Sequence, residues 1–276
     1  MPELPEVEVT RRQLMRHLVG RQIKEVITAK KSYFFLTPPT KLQQQLTGRT
    51  VQSLTRHGKY LLAQLDDKSS LLLHLGMTGR LFPSVQKSEG NSRALPQHTH
   101  LVLHFADGKS TVQFRDVRKF GKVKWLPPGA RDSRLEQLGI DALEANGKTL
   151  FDASRKRRAP IKTVVLDQSV LAGVGNIYAD EALFLARVRP TRGARRVGAT
   201  ECDLIVAAAQ QVMLRSIQAG GSTFRDFVAP SGQQGSYQQQ HSVYGRAGEP
   251  CPVCGNAIRR IVVGTRSTHY CPQCQK

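Results

Sequence analysis

The chain has 276 residues, of which 39% are apolar and 22% charged, ordinary values for a folded protein with room for two domains. Its 41 lysines and arginines exceed the 21 acidic residues and give a net charge of +20. Such a surplus favours a polyanionic partner, usually nucleic acid and less often an acidic membrane surface. No apolar run has the length of a membrane span, and the acidic N-terminus lacks the layout of a signal peptide, so we expect a cytoplasmic protein.

The first residues, MPELPEVEVT, predict a helix with Pro5 in its first turn, where a missing N–H costs nothing. Val7, Leu14 and Leu18 follow at spacings that place them on one helical face. From about residue 22 to residue 126 the pattern changes to short alternating runs separated by polar turns. This pattern predicts β-hairpins in an antiparallel sandwich or barrel.

A break at Pro127-Pro128-Gly129 marks a boundary, and beyond it the apolar spacing becomes helical. Three helices are predicted: one around 161–165, one from Ile177 to Leu185, and one from the cap-like Thr200 to the glycines at 220–221. The polar stretch SGQQGSYQQQHS that follows predicts a mobile loop.

Four of the five cysteines form two CxxC pairs separated by sixteen residues: Cys251 with Cys254, and Cys271 with Cys274. Two such turns deliver four thiolates to one tetrahedral ion, as zinc prefers. Four cysteine ligands leave no open position for water, so we predict one structural zinc ion that holds a small C-terminal piece together. The fifth cysteine, Cys202, lies in a helical pattern and is expected to be buried and inert.

Basic residues cluster beside the predicted helices and within the predicted zinc hairpin. Runs rich in arginine occupy 155–158 and 187–196, and Arg266 lies near the hairpin turn. The turn Gly173-Val174-Gly175-Asn176 would present backbone N–H groups and an amide to an anion. Solvated surface charge and an ordinary helix cap are the alternatives for these patterns. Because the hairpin belongs to a chain of charge +20, we favour a phosphate contact for its arginine.

The N-terminus also permits a chemical interpretation. If Met1 is removed, Pro2 supplies a secondary amine, and a free α-amine titrates at about pH 8, so a useful fraction is neutral. Such an amine can attack the anomeric carbon of a sugar and leave an iminium, while the adjacent Glu3 could exchange a proton with the ring oxygen. Taken alone, these residues fit a helix start with an acidic first turn better.

Five motifs together resemble the formamidopyrimidine-DNA glycosylases, which are bacterial bifunctional DNA repair enzymes. They are PELPEVE at 2–8, HGK at 57–59, HLGMTGRL at 74–81, GVGNIYADEAL at 173–183 and the terminal zinc hairpin, in the family's order over the whole chain. The resemblance implies an α+β multidomain fold. We expect an N-terminal antiparallel β-sandwich with an N-terminal helix over 1–129, a linker over 130–150, a helix–two-turn–helix domain over 151–240 and a zinc-finger β-hairpin over 241–276.

The resemblance also implies an activity: excision of oxidised purines, namely 8-oxoguanine and formamidopyrimidines, from duplex DNA, followed by β- and δ-elimination at the abasic sugar. Carried over to this chain, Pro2 is the Schiff-base nucleophile and Glu3 the general acid. Lys59 matches a proton donor and phosphate contact, and Arg266 matches a residue of the second elimination. Glu6 matches a residue that organises the site.

Other positions match DNA-contacting residues of the family: His98, Arg118, Arg157 and Asn176, with Lys162 matching a lysine near the pocket. A base flipped out of a duplex leaves a space that must be filled. Met77, Arg118 and Phe120 match the filling residues, an apolar wedge and an arginine for the orphaned base. The chain departs from the family's usual residues at several places, among them a histidine, His269, for a usual phenylalanine in the zinc hairpin.

The resulting prediction is a cytoplasmic, monomeric enzyme with one structural Zn²⁺ that acts on double-stranded DNA containing oxidised bases and binds no membrane. Two other functions stay open: an endonuclease VIII-like glycosylase for oxidised pyrimidines, and a non-catalytic protein of the same fold that binds damaged DNA. Leu4 and Val7, together with the complete set of filling residues, favour the purine enzyme. Retention of the proposed catalytic residues argues against the binding protein.

Overall fold

The computed structural model describes residues 1–84, 95–222 and 229–276, which fall into two compact units. The first unit comprises Met1–Ser133 and Gly220–Gly235, and the second comprises Arg134–Ala219 and Ser236–Lys276. The chain therefore leaves the second unit after residue 219, contributes a segment to the first, and returns. Within the described ranges, no helix is long and apolar enough to cross a membrane.

The first unit begins with helix α1 (Leu4–Leu18), which has a proline in its first turn and confirms the predicted N-terminal helix. The elements that follow are β1 (Ile23–Thr28), α2 (Pro39–Leu46), β2 (Val51–His57), β3 (Tyr60–Leu65), β4 (Ser70–His74), β5 (Gly79–Ser84), β6 (Thr99–Phe105), β7 (Thr111–Asp116) and β8 (Lys122–Leu126). The strands form two four-stranded antiparallel sheets, in the orders β1-β6-β7-β5 and β2-β3-β4-β8.

One apolar core is shared by α1 and both sheets of the first unit. It includes Leu14 from α1, Leu61 from β3, Leu103 from β6 and Phe114 from β7. Strands whose alternate side chains point to a common core can pack face to face as a sandwich. The predicted antiparallel hairpins are confirmed, and of the two architectures the described strands form the sandwich.

Helix α2 is not among the predicted elements. Its buried residues are Leu42 and Leu46, one helical turn apart, and the rest of its eight residues are proline, threonine, lysine and glutamine. A single pair of apolar residues is too weak a pattern to identify a helix beside two prolines.

The second unit is helical with a terminal hairpin. Its elements are α3 (Ser133–Glu136), β9 (Ile140–Asp141), α4 (Gly147–Arg155), α5 (Ile161–Val165), β10 (Leu171–Ala172), α6 (Asn176–Leu185), α7 (Ala199–Gln218), two short 3₁₀ helices (Ala194–Arg196 and Tyr237–Gln240), β11 (Arg259–Val263) and β12 (Arg266–Tyr270). Strands β9 and β10 pair in parallel, and β11 and β12 pair antiparallel.

Helices α5, α6 and α7 confirm the three predicted helices. Helix α7 starts one residue before the predicted Thr200, because Gly198 is its N-cap and donates its N–H to Glu201 at 2.8 Å. Cys202 in α7 is buried, as predicted, and burial raises the pKa of its thiol to about 11. The stretch predicted as a mobile loop contains a 3₁₀ helix whose Tyr237 is buried and stacks on Tyr178, with ring centroids 6.1 Å apart.

Candidate active site and zinc centre

The predicted nucleophile and acid lie directly before α1, in a buried position. Pro2 is buried, and Glu3 and Glu6 are 4% and 2% exposed. The Glu6 carboxylate accepts one hydrogen bond from the Glu3 backbone N–H and another from the Ser222 N–H, both at 2.9 Å. A helix start leaves N–H groups such as that of Glu3 without intrahelical acceptors. Glu6 therefore fixes the backbone beside Pro2 and Glu3.

Lys59 lies in the tight turn between β2 and β3, and its side chain is buried. Gly58 before it has a φ of 54°, in the left-handed region that glycine adopts without strain. Arg56 donates from Nη1 to the Gly58 carbonyl oxygen at 2.9 Å and from Nε to Glu8 of α1 at 3.2 Å. One arginine thus joins the turn that carries Lys59 to the helix that follows Pro2.

Glu8 is a charged centre that the sequence analysis missed. Its carboxylate also accepts hydrogen bonds from Arg11 Nη2 at 2.8 Å and from Arg12 Nε at 2.7 Å. Burial opposes ionisation of Glu8, but the hydrogen bonds from Arg11 and Arg12 and the charges of Arg11 and Arg56 outweigh it and lower the pKa to about 2. The spacing of Glu8 to Arg11 and Arg12 is a recognisable helix pattern, whereas Arg56 comes from a distant strand.

His74, at the end of β4, is a second neighbour that the sequence analysis left without a role. Burial, followed by the charges of Lys59 and Lys122, lowers its pKa to about 4. Its Nδ1 accepts a hydrogen bond from the Gly76 N–H at 3.1 Å, and its ring centroid lies 4.6 Å from that of Tyr60. The imidazole is therefore neutral at neutral pH and adds no second positive charge beside Lys59.

Two turns of the first unit carry the predicted filling residues, and we call them the paired loops: residues 76–78 with Met77, and residues 117–121 with Arg118 and Phe120. All three side chains are exposed. The Arg118 guanidinium carbon lies 4.7 Å from the Phe120 ring centroid. Gly76 approaches the second loop so closely that a Cβ on it would lie 2.5 Å from the Gly121 nitrogen. The two loops consequently form one surface.

Asp116, fully buried at the end of β7, joins the paired loops. Its carboxylate accepts hydrogen bonds from Thr78 Oγ1 in the first loop and from the N–H groups of Arg118 and Gly121, at 3.2 and 2.7 Å, in the second. The Asp116 N–H donates to the carbonyl oxygen of His98 at 2.9 Å, and His98 has a left-handed φ of 62°. His98, a predicted DNA contact, therefore borders this cluster through its backbone.

In the second unit, Lys162 is fully buried and lies in the interior rather than at a surface. Its ammonium pairs with Asp180 Oδ1 at 2.6 Å and donates to Thr268 Oγ1 at 2.8 Å. Asp180 Oδ2 also accepts the backbone N–H of His269 at 2.8 Å and lies 3.2 Å from the His269 Nδ1 atom. This network joins β12 to α5 and α6, so Lys162 stabilises the position of the hairpin strand.

The remaining predicted contacts of the second unit differ in their surroundings. Arg266 is exposed at the start of β12. Asn176, the first residue of α6, donates from Nδ2 to the Ser267 carbonyl oxygen at 2.9 Å, and Arg157 forms an ion pair with Asp167. Arg266 thus presents its charge outward, while the other two side chains make contacts within the unit.

Several arginines of the basic runs at 155–158 and 187–196 make contacts within the second unit. Arg155 donates from Nη2 to the carbonyl oxygen of Ala194 at 3.0 Å, and Arg192 forms a two-pronged ion pair with Glu201 at 2.6 and 2.7 Å. Arg189 donates to the carbonyl oxygen of Pro272 at 2.9 Å. These arginines hold the helices and the C-terminal segment together, a role that clustering in sequence does not distinguish from anion binding.

Residues on both sides of the zinc hairpin are bonded to α6 or to the turn after it. Glu181 of α6 accepts hydrogen bonds from three successive N–H groups at 2.8 to 2.9 Å: those of Ser242, Val243 and Tyr244. Burial raises the pKa of the Glu181 carboxyl despite these bonds. Gln275 Nε2 donates to the Val188 carbonyl oxygen at 2.9 Å. The chain segments that enter and leave the hairpin are thereby fixed.

The four predicted metal ligands form one cluster, with their Sγ atoms all within 4.8 Å of one another. The Sγ atoms of Cys251 and Cys274 lie 3.9 Å apart, and those of Cys254 and Cys271 lie 3.4 Å apart. A tetrahedral zinc ion with Zn–S bonds of about 2.3 Å separates its sulfurs by about 3.8 Å, so the cluster fits such an ion. Strands β11 and β12 lie between the two cysteine pairs, which confirms the predicted hairpin.

Three family models match the chain in order. They are the formamidopyrimidine-DNA glycosylase N-terminal domain over residues 1–123, the formamidopyrimidine-DNA glycosylase H2TH domain over 138–228, and the zinc finger found in FPG and IleRS over 248–276. The formamidopyrimidine-DNA glycosylase of Cupriavidus pinatubonensis is 43% identical over 291 residues that cover all of both chains. The chain belongs to the formamidopyrimidine-DNA glycosylase family.

Solved structures of this family have the same fold. The crystal structure of the MutM (FPG) protein from Thermus thermophilus matches with a TM-score of 0.86 and 36% identity, covering 99% of this chain and 98% of that one. A Lactococcus lactis FPG mutant in complex with Fapy-dG-containing DNA matches with a TM-score of 0.88 and 33% identity, covering all of both chains. The predicted α+β multidomain fold is confirmed, and the four cysteines are the ligands of one structural zinc ion.

Proposed function

We propose that this glycosylase excises oxidised purines, 8-oxoguanine and formamidopyrimidines, from duplex DNA in the cytoplasm and then cleaves the abasic strand. The observation that carries the proposal is the first turn of α1, where Glu6 fixes the backbone beside the buried Pro2 and Glu3. The net charge of +20 supports a polyanionic substrate. The Lactococcus lactis relative bound to Fapy-dG-containing DNA supports the substrate class.

In the proposed first step, the neutral amine of Pro2, freed by removal of Met1, attacks the anomeric carbon of the damaged nucleoside. The bond from that carbon to the base breaks, and the base leaves with the bonding electron pair and takes up the proton that the Pro2 nitrogen loses. Glu3 supplies a proton to the sugar ring oxygen, which opens the ring and leaves an iminium on Pro2. The N-terminus of α1 carries a partial positive charge that disfavours protonation of the nearby amine.

The iminium then serves as an electron sink for strand cleavage. Loss of a proton from the adjacent sugar carbon expels the 3′ phosphate, and a second elimination expels the 5′ phosphate. We assign Lys59 to proton donation and phosphate contact, and Arg266 to the second elimination. The bond from Arg56 to the Gly58 carbonyl oxygen holds the turn of Lys59, and the Lys162–Asp180 pair holds the strand of Arg266.

The paired loops have the composition needed to replace a flipped nucleotide. Met77 and Phe120 offer exposed apolar surface, and Arg118 offers donors to the orphaned base. Unstacking a base costs a few kcal/mol, and ordering a flexible loop on binding would add to that cost. Because Asp116 already holds the backbone of the second loop, less conformational entropy is lost when the loop fills the space.

Borohydride trapping on two substrates tests the proposed chemistry. Glu3→Gln should lose excision from an 8-oxoguanine duplex by about 10²–10⁴-fold, yet it should still trap on a preformed abasic site, where the aldehyde is already available. Protein with a blocked N-terminus, through retained Met1 or acetylated Pro2, should fail on both substrates. Glu25→Gln, at an exposed position on β1, is the matched control and should behave as wild type. An adduct from the blocked protein would assign the nucleophile to an internal lysine and refute the proposal.

A further inference from the structure

Tyr33 lies outside the predicted site, in the segment between β1 and α2, and is 58% exposed. Single exposed apolar side chains are common, so exposure alone decides nothing. Its hydroxyl, however, donates a hydrogen bond to the carbonyl oxygen of Arg118 at 2.7 Å, across 85 residues of sequence. This bond connects Tyr33 to the paired loops.

The peptide groups of Arg118 are held on both sides by side chains. Its N–H lies 3.2 Å from both Thr78 Oγ1 and Asp116 Oδ1, and its carbonyl oxygen accepts the bond from Tyr33. The next residue, Lys119, has a φ of 58°, which is unfavourable for a residue with a side chain. A backbone of this kind persists where neighbouring groups restrain it. Tyr33 is the restraint on the carbonyl side.

Positive charge lies beside Tyr33 in space and in sequence. Lys122 Nζ lies 4.9 Å from the ring centroid, and Lys30 and Lys31 precede Tyr33 at exposed positions. Aromatic rings and cations in alternation are typical of surfaces that contact nucleic acid. Tyr33 therefore lies where the paired loops and a polyanion would meet.

We propose that Tyr33 is a positioning residue that sets the direction of Arg118 and thereby the enzyme's discrimination among bases opposite the lesion. The inference rests on the proposed function, in which Arg118 contacts the orphaned base. Hydrogen bonds to base edges distinguish bases only within narrow limits of distance and angle. A shift of the Arg118 backbone would move its guanidinium outside those limits.

Tyr33→Phe removes the hydroxyl and keeps the ring. The ratio of excision rates opposite cytosine and opposite adenine should change by about 2- to 10-fold, the factor that corresponds to one hydrogen bond. Amide hydrogen exchange in residues 117–121 of the free protein should become faster. Lys31→Gln, in the same segment, removes one exposed cation and should slow excision from both duplexes equally, because phosphate contacts do not read sequence.

Each result decides the inference. An unchanged ratio overturns the specificity role, and a changed ratio with unchanged exchange overturns positioning in favour of direct contact with DNA. If the wild-type protein excises no oxidised purine, the proposed function fails by itself. Two measurements then still test the role of Tyr33. One is amide hydrogen exchange in residues 117–121, and the other is equilibrium binding of Tyr33→Phe to duplexes with an abasic-site analogue opposite cytosine or adenine.

Discussion

Replacing Glu8 with glutamine would remove the charge at the centre of the Arg11, Arg12 and Arg56 cluster while keeping the size of the side chain. The lowering of its pKa from 4.5 to about 2 corresponds to about 3 kcal/mol of unfolding free energy at pH 7. Because the folded state has the lower pKa, this stabilisation is complete above pH 4.5 and is lost as the pH falls toward 2. Glu8→Gln should therefore lower the unfolding free energy by about 2–3 kcal/mol at pH 7 and by less than half as much at pH 3.

Trp125, the chain's single tryptophan, lies in β8 and reports on the first unit. Urea unfolding followed by its fluorescence at both pH values measures the difference, and urea avoids the screening that a salt denaturant would add. Glu25→Gln, with an exposed carboxylate in the same unit, should change little at either pH. If Glu8→Gln lowers the free energy of unfolding at pH 7 by less than about 0.5 kcal/mol, or lowers it equally at pH 7 and pH 3, the assigned role of the Glu8 charge is wrong.

Three further predictions concern the metal, the ion pair in the second unit, and the DNA. Cys251→Ser should lower both bound zinc and DNA affinity, and normal activity of metal-free protein would contradict the structural role of the ion. Asp180→Asn leaves Lys162 buried beside a neutral partner and should lower the free energy of unfolding, measured by thermal unfolding, by about 3–5 kcal/mol. A variant of unchanged stability would argue against the ion pair. If the protein contacts six to ten phosphates, its affinity for an abasic duplex should fall by about 10³–10⁵-fold between 50 and 200 mM salt. An affinity that does not change with salt would exclude these phosphate contacts.

Sequence reasoning succeeded where a pattern is local. The hairpins of the first unit, helices α5 to α7 and the cysteine cluster each follow from spacing within a short stretch. Helices α2 and α4 were missed because each buries few apolar residues, the largest in α4 being Leu150. The groups that hold the candidate site were missed for a different reason. Arg56 and Asp116 join their own turns to Glu8 and Thr78, which lie far away in sequence, and no local pattern indicates these distant partners.

The residues of the candidate site were predictable where they are neighbours in the sequence. Pro2, Glu3 and Glu6 share one motif, and the structure adds that the Glu6 carboxylate accepts hydrogen bonds from the N–H groups of Glu3 and Ser222. Lys162 shows the limit, because a lysine in a predicted helix fits a surface cation and one half of a buried ion pair equally well. The contacts of α5 with α6 and β12 distinguish the two.

The anchoring of the zinc hairpin has a consequence for a cell that is short of metal. The second cysteine pair is hydrogen-bonded to the turn after α6 through Arg189 and Gln275, independently of any ion. The first pair, among the residues described, meets α6 through apolar packing around Phe184. Losing zinc should therefore release the first cysteine pair, while β11 stays paired with β12 and residues 242–244 stay bonded to Glu181, so that zinc added back should rebuild the cluster in the existing chain. A cell short of zinc would then hold metal-free protein that regains its complete hairpin when the metal returns.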